Sequence, residues 1–440
     1  MGLKYVETVK SIILTLLVTL SMLLTFSIWT YSPPFELIEQ SPPVDISIGN
    51  KKKVDEIIKP YKVVFNFDDE LKGTTDSDKI NRIMDEITEW EIADFVPVND
   101  NFDAEERSKL LRTSNQFTLH FQSEIPLTVY DGVLSIEKPT PEISFNQIMV
   151  EWKPDNTAMT VYFISKANQK LYSAKMKAGD YQSFYGSVLT KGQELQEYRE
   201  VKPDSSSYLV VSAEPVEAIK DTFWKEEVSI SKFRNALFSD ANSVRTSQVG
   251  IHHEEFADNH ALMNVYTDKK VLKYTSLTAD SRELAIPSEL LLDTINFVNE
   301  HGGWTDEFRL AYMDPKSRTV RFQLFLHGLP VYTDSSSSAE IVQKWGGNQI
   351  YSYLRPYYIL DSPFSNEKES RLLPPGTDIA ESLRKSDKVD FDAIEEITPG
   401  YFMKSDAKVY NMEPAWFYLI NGNWSRYSPK GLGGELLGLE

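Results

Sequence analysis

The sequence predicts an α+β protein: an N-terminal single transmembrane helix, followed by a multi-domain extracytoplasmic region of mixed, mainly antiparallel sheets with flanking helices. Three observations carry this. Residues 11–31, SIILTLLVTLSMLLTFSIWTY, hold no charged side chain, over the roughly 20 residues a helix needs to cross a hydrocarbon core. Beyond them, short alternating β-rich runs recur, several joined in pairs by tight-turn residues. Helical periodicity is confined to a few stretches that fall between groups of strands, the pattern of an α+β chain.

The apolar segment sets the topology. Its polar members, among them Ser11, Thr15, Thr19, Ser21, Thr25 and Ser27, can bond back to their own helix carbonyls. Lys4 and Lys10 precede it and no Lys or Arg follows until Lys51, so residues 1–10 are expected in the cytoplasm and residues 32–440 outside the cell membrane. Trp29 and Tyr31 fall at the outer headgroup level. A cleaved signal peptide has a shorter apolar region ending in small residues; a cut after Ser27 would divide the run just before Ile28 and Trp29. The segment reads as an uncleaved signal anchor. Ser32-Pro33-Pro34 and Ser41-Pro42-Pro43 then make residues 32–44 a semi-rigid stalk.

The remainder is long enough for two or three domains. A formal charge of −19 argues against nucleic acid, whose phosphates require a basic surface. With no cysteine there is no disulfide, thiolate nucleophile or thiolate metal site.

An N-terminal α+β domain is placed at 45–205. Tyr61–Phe67 alternates as a strand, and Thr75-Asp76-Ser77-Asp78 supplies capping residues for a helix with Ile80, Ile83, Met84 and Ile87 at helical spacing, Trp90 continuing the stripe. A second helix is expected near Asp103–Leu111. Strand-like pieces follow at Phe117–Phe121, Thr128–Tyr130, Ile148–Trp152 and Thr160–Ser165, the last paired with Lys170–Ala174; Tyr181–Thr190 reads as a helix. A small central α+β domain spans 206–285, with a helix at Ser229–Phe238 and a hairpin of His260–Tyr266 with Lys270–Ser276. A C-terminal α+β domain spans 286–440. It opens on a helix from Pro287 that Gly302-Gly303 stops, and it has strands at Phe308–Met313, Thr319–Leu326, Glu340–Trp345 and Gln349–Ile359. Gly376-Thr377-Asp378 would cap a helix over Ile379–Lys385, and Ala415–Ile420 turns through Asn421-Gly422 into Asn423–Tyr427.

Catalytic motifs are absent: no phosphate loop, GxSxG, HExxH or GxGxxG follows from the sequence. His252, His253 and His260 lie beside Glu254, Glu255 and Asp258, a set that could ligate zinc, but adjacent histidines diverge on any regular backbone and a solvated loop explains them. Asp68-Asp69-Glu70 and the acids of 99–106 lack the ligand spacing and glycine of a calcium loop; helix capping accounts for Asp103 and its neighbours. Paired carboxylates for glycoside hydrolysis need a defined separation in a cleft. The C-terminal aromatics Trp416, Phe417, Tyr418, Trp424 and Tyr427 fit a strand core before a recognition face. No cofactor, metal or catalytic residue is assigned.

The N-terminus KYVETVKSIILTLLVTLSMLLTFSIW resembles that of the YycH regulatory proteins of low-GC Gram-positive bacteria. GLPVYTDSS (Gly328–Ser336), YLRPYYIL (Tyr353–Leu360) and PAWFYLINGNW (Pro414–Trp424) resemble the C-terminal domain which that family shares with its sister family, YycI. The resemblance implies a non-enzymatic, membrane-anchored regulator that associates with YycI and with the WalK (YycG) sensor histidine kinase and so adjusts cell-wall metabolism, with transmembrane helices implicated in the contact. Ser11, Thr15 and Thr19 lie at i, i+4 and i+8, one weakly polar stripe suited to close helix packing in lipid, and are the candidate helix–helix contact. Two alternatives stand beside this: an extracytoplasmic module that binds a wall-derived ligand, and an anchored hydrolase.

Overall fold

The computed structural model describes residues 10, 14–25, 48–68, 70–153, 159–177, 184–278, 284–360, 362–365, 369–406 and 408–428. They fall into two compact units, residues 1–45 and 46–440. In the first, residues 14–25 are helical and exposed. Thr19 donates its hydroxyl to the Thr15 carbonyl at 2.8 Å and Thr25 to that of Ser21 at 2.8 Å, side-chain bonds back to the helix's own backbone. No helix among the described residues is long and apolar enough to cross a membrane; the ends of the 11–31 segment, Ser11 included, and the stalk at 32–44 lie outside those residues.

The second unit is built on two large sheets. Ten strands form the first: β1 Lys62–Phe67, β2 Glu70–Thr74, β3 Glu91–Asn99, β4 Gln116–Pro126, β5 Ser135–Ile136, β6 Ser144–Trp152, β7 Met159–Ser165, β8 Lys170–Lys177, β9 Gln196–Glu200 and β10 Val210–Ser212. Their order is β10-β9-β2-β1-β4-β6-β7-β8-β3-β5, antiparallel except for β3 with β5. Side chains alternate between two faces: Ile148, Val150 and Trp152 of β6 share the main core with Ile80, Ile83, Met84 and Ile87 of helix Ser77–Thr88. Met149 points the other way, into a smaller cluster with Leu111 of helix Ala104–Leu111. Both helices begin as the sequence indicated. Asp76 accepts from the backbone N–H of Asp78 and Lys79, and Asp103 and Glu106 form a reciprocal capping box.

The next strands are β11 Val216–Trp224, β12 Glu226–Glu227, β13 Arg245–Gly250, β14 His253–Ala257, β15 Ala261–Tyr266, β16 Val271–Ser276, β17 Phe308–Asp314, β18 Thr319–Leu326, β19 Leu329–Tyr332, β20 Glu340–Gly346, β21 Gln349–Pro356, β22 Tyr358–Ile359, β23 Glu369–Leu373, β24 Ile394–Ser405, β25 Val409–Ile420 and β26 Asn423–Arg426. All but β12 and β22, which pair with each other, join one sheet ordered β13-β14-β15-β16-β21-β20-β18-β19-β24-β25-β11-β23, with β17 on β18 and β26 on β25. Its two rims differ from its middle: every residue of β13, and four of the five in β23, are exposed. Helix Pro287–Glu300 buries Leu290, Leu291, Ile295 and Val298 in the main core. Helix Gly376–Arg384 buries Ile379, Ala380 and Leu383 against Trp416 and Tyr418, with Leu209 and Val211 completing that cluster.

The structure corrects or sharpens the expected local structure at four places. Thr128–Tyr130 belongs to a helical turn, Leu127–Tyr130, whose apolar side chains are buried; a three-residue apolar run carries no usable period. Tyr185–Leu189 is a π-helix running into Thr190–Gln193, and residues 178–183 lie outside the described set. Gly376-Thr377-Asp378 forms the first turn of its helix and does not precede it. Finally, no strand is expected where β24 lies; in the structure a Cβ at Gly400 would stand 2.9 Å from the Pro330 carbonyl and 3.0 Å from the Phe417 ring. Glycine is there to let β19 and β25 approach.

Candidate functional site

The sequence-predicted residues fare differently. Thr15 and Thr19 share one side of the 14–25 helix through their 2.8 Å bond, and Ser11 lies outside the described residues. His253 falls on β14, where its ring stacks on Tyr266 at 4.9 Å and Nε2 meets Asn264 Oδ1 at 2.8 Å; these partners are structural. Trp416, Phe417 and Tyr418 are buried in the second sheet's cores. Trp424 instead lines a cavity that no motif pointed to.

That cavity, about 420 Å³, lies within the second unit between β1, β4 and β6 of the first sheet and β17–β20, β24 and β26 of the second. Lys62 at the start of β1 is 3% exposed and donates to both Glu396 carboxylate oxygens at 2.8 Å. Tyr61 donates its hydroxyl to Glu396 Oε2 at 2.7 Å, and Lys166 pairs with the neighbouring Glu395. Consecutive strand residues ordinarily face opposite sides. Here the register of β24 against β25 slips between Ile394 and Glu396, and the bulge lets both carboxylates line the cavity. A second irregularity, between His120 and Ile125 where β4 meets β6, brings His120, Phe121 and Gln122 to the same lining.

Burial dominates the electrostatics. It holds the His120 imidazole well below its ordinary range, with Lys62 adding to the effect, so the ring is neutral near pH 7. Burial raises the Tyr61 and Tyr332 phenols well above theirs, with Glu396 contributing in each case. It raises the Glu340 carboxyl against the opposing influence of Arg321, and it lowers the Arg107 guanidinium. Gln147 Nε2 lies 3.0 Å from His120 Nδ1. Five buried polar atoms of this lining have no hydrogen-bond partner among the described residues: His120 Nε2, Gln122 Oε1, Gln147 Oε1, Tyr208 OH and Tyr332 OH. Such orphans are uncommon in folded proteins, and five of them belong to residues around one cavity. Lys62 is a charge on the strand face that carries Val64, too slight a signal by itself to mark a site.

A two-sheet α+β body closing on a polar cavity is the class of protein that this fold and site define. The chain belongs to the YycH family: residues 7–188 match the family's model for "YycH protein, N-terminal domain" and residues 206–430 that for "YycH protein, C-terminal domain". It is similar to the "Two-component system WalR/WalK regulatory protein YycH" of Bacillus subtilis (strain 168), 20% identical over 434 residues, or 94% of this chain and 95% of that protein. The crystal structure of YycH from Bacillus subtilis has the same fold, with a TM-score of 0.71 at 18% identity over 87% of this chain and 99% of that one.

Proposed function

We propose that this chain is a membrane-anchored, non-enzymatic regulator of a WalR/WalK two-component system. The observation that carries the reading is its likeness, over 94% of its length, to a protein whose name states that role, within a family matched in both halves. In this reading residues 11–31 anchor the chain with 1–10 in the cytoplasm and 32–440 outside. The direct partners are the WalK sensor kinase and YycI, and the consequence is altered cell-wall metabolism. Deleting the gene should change transcription of WalR-controlled autolysin genes, and re-expressing the chain should restore it. Unaltered transcripts would reject the proposal.

The contact is assigned to the stripe of Ser11, Thr15 and Thr19, because helix association in lipid relies on close approach and weak polar contacts. Replacing all three by Leu should reduce association with WalK or YycI several-fold in a membrane two-hybrid assay; an undiminished signal would remove the stripe from the mechanism. A second reading is favoured by the cavity alone: the body also binds a wall-derived ligand, a role compatible with the first.

A further inference from the structure

We propose that the cavity between the sheets binds a small ligand carrying an oxyanion, a carboxylate or a phosphate, with Arg107 and Arg321 as its cationic partners. The proposal rests on the ligand-binding reading and is independent of kinase regulation.

Ordinary periodicity brings both guanidinium groups to the cavity. Ala104, Arg107 and Leu111 stand at i, i+3 and i+7 on helix Ala104–Leu111, and all three belong to the lining. Strand β18 turns Val320, Phe322 and Leu324 into the main core, so the alternate residues Arg321 and Gln323 face the other way, into the lining.

The charges of the wall leave these two arginines over. Lys62 is held by Glu396 and Lys166 by Glu395. Neither Arg107 nor Arg321 has an ion pair or a side-chain hydrogen bond among the described residues. A guanidinium keeps its proton at any ordinary pH, and a charge drawn partly out of water without a matched partner is costly. Burial already lowers the Arg107 guanidinium against the favourable fields of Asp103, Glu395 and Glu124. Those carboxylates are engaged elsewhere: Asp103 caps its helix, Glu395 holds Lys166, and Glu124 accepts from the Ser165 hydroxyl and the Ala167 N–H. Arg321 lies over the Tyr312 ring at 4.4 Å, which steadies the plane of its fork and leaves the N–H edge free to donate. Glu340 is the remaining acid of the lining, and burial raises its carboxyl despite Arg321, so it is a weak counter-charge. In all, the lining carries four basic and three acidic side chains, a positive excess on a chain whose formal charge is −19. An anion that the body repels at large is attracted here. Forked donors suit the paired oxygens of a carboxylate or phosphate, and a volume of about 420 Å³ lies in the range of small-ligand sites.

The test is calorimetry at low ionic strength on the full chain in an uncharged detergent, with two matched pairs of probes: N-acetylmuramic acid with N-acetylglucosamine, and glycerol phosphate with glycerol. At least one anionic probe should bind saturably, and its uncharged counterpart at least about tenfold more weakly. Arg107→Gln and Arg321→Gln should each weaken that binding about tenfold or more, the loss of a charge-assisted hydrogen bond. The melting temperature of Arg107→Gln should not fall, because its charge has no partner to lose. Arg245→Gln, which removes the same charge from the exposed strand β13, should leave the affinity unchanged. Binding of the carboxylate alone, the phosphate alone or both, with this dependence, would support the proposal and name the oxyanion. Uncharged probes binding as well as the anions, with both arginine variants intact in affinity, would overturn the oxyanion while keeping a ligand site. An equal loss in Arg245→Gln would overturn it in favour of diffuse attraction to the surface. No binding by any of the four probes would overturn both the oxyanion and the ligand-binding reading.

Discussion

Lys62 and Glu396 illustrate how much one pair of residues decides. Their side chains are 4% and 11% exposed at 2.8 Å separation. Ionised groups so far from water are stable only while matched, and removing one partner of a buried pair costs about 3–5 kcal/mol, whereas replacing both with apolar groups is close to neutral. Lys62→Met is therefore expected to lower unfolding free energy by that amount and Lys62→Met/Glu396→Leu to restore most of it, as measured by urea denaturation. His120 makes a pH prediction. Its folded-state pKa lies below the value of about 6.5 it has when unfolded, so below pH 6.5 the unfolded chain binds the extra proton. Stability from this group is fully present above pH 6.5 and is lost as pH falls through that value. His120→Gln should flatten the stability profile between pH 5 and about 6.5 relative to the parent; an unchanged slope would show that His120 takes up its proton equally in the folded and the unfolded chain. Neither residue was legible in advance. A lone lysine in a strand and a lone histidine have no periodic signature, and their meaning comes from a bulge more than 270 positions away, at Glu396.

Elements whose instructions are local were readable. Caps, prolines and paired glycines act within a few residues, so the helices near Asp76, Asp103 and Pro287 and the hairpin through Asn421 and Gly422, at φ 49 and 77, appear where the sequence puts them. Elements made by distant contact were not: β13 is exposed throughout and holds a single large apolar residue, Val249, and β24 carries Pro399 in its middle. The Asp76 cap supports a direct test, since Asp76→Ala should cost about 1 kcal/mol, seen as a lower urea midpoint, while Asp78→Ala, which loses no cap bond, should cost less. The turn at His327-Gly328, φ 49 and 78, ties two such elements together, because a Cβ on Gly328 would meet Ser77 Cβ at 2.4 Å. Gly328→Ala should consequently destabilise by more than the backbone strain alone, and a further Ser77→Gly substitution should recover part of the loss.

At the level of the molecule, strand pairing crosses both positions of the proposed division at 205 and 285: β10 pairs with β9 across the first and β16 with β21 across the second. The segments so divided need not be independent in stability. β16 pairs with β21 from Val271–Pro356 to Thr275–Ser352, so segment 206–285 and segment 286–440 share one ladder, and the main core runs through both sheets. Native-state hydrogen exchange is expected to show β15 and β16 opening together with β20 and β21; opening of the central strands at much lower free energy would make 206–285 a unit of its own. The same sheet has two bare rims. A strand whose outer N–H and C=O groups face water is a template on which another chain can crystallise in one dimension, and proteins with such margins persist by making the template unattractive. β13 carries Arg245 and no run of apolar side chains, and β23 carries Glu369 and Arg371. With a formal charge of −19 holding copies apart at longer range, these few ionic side chains make the fold's colloidal behaviour depend on its margins, where the sequence looks least constrained.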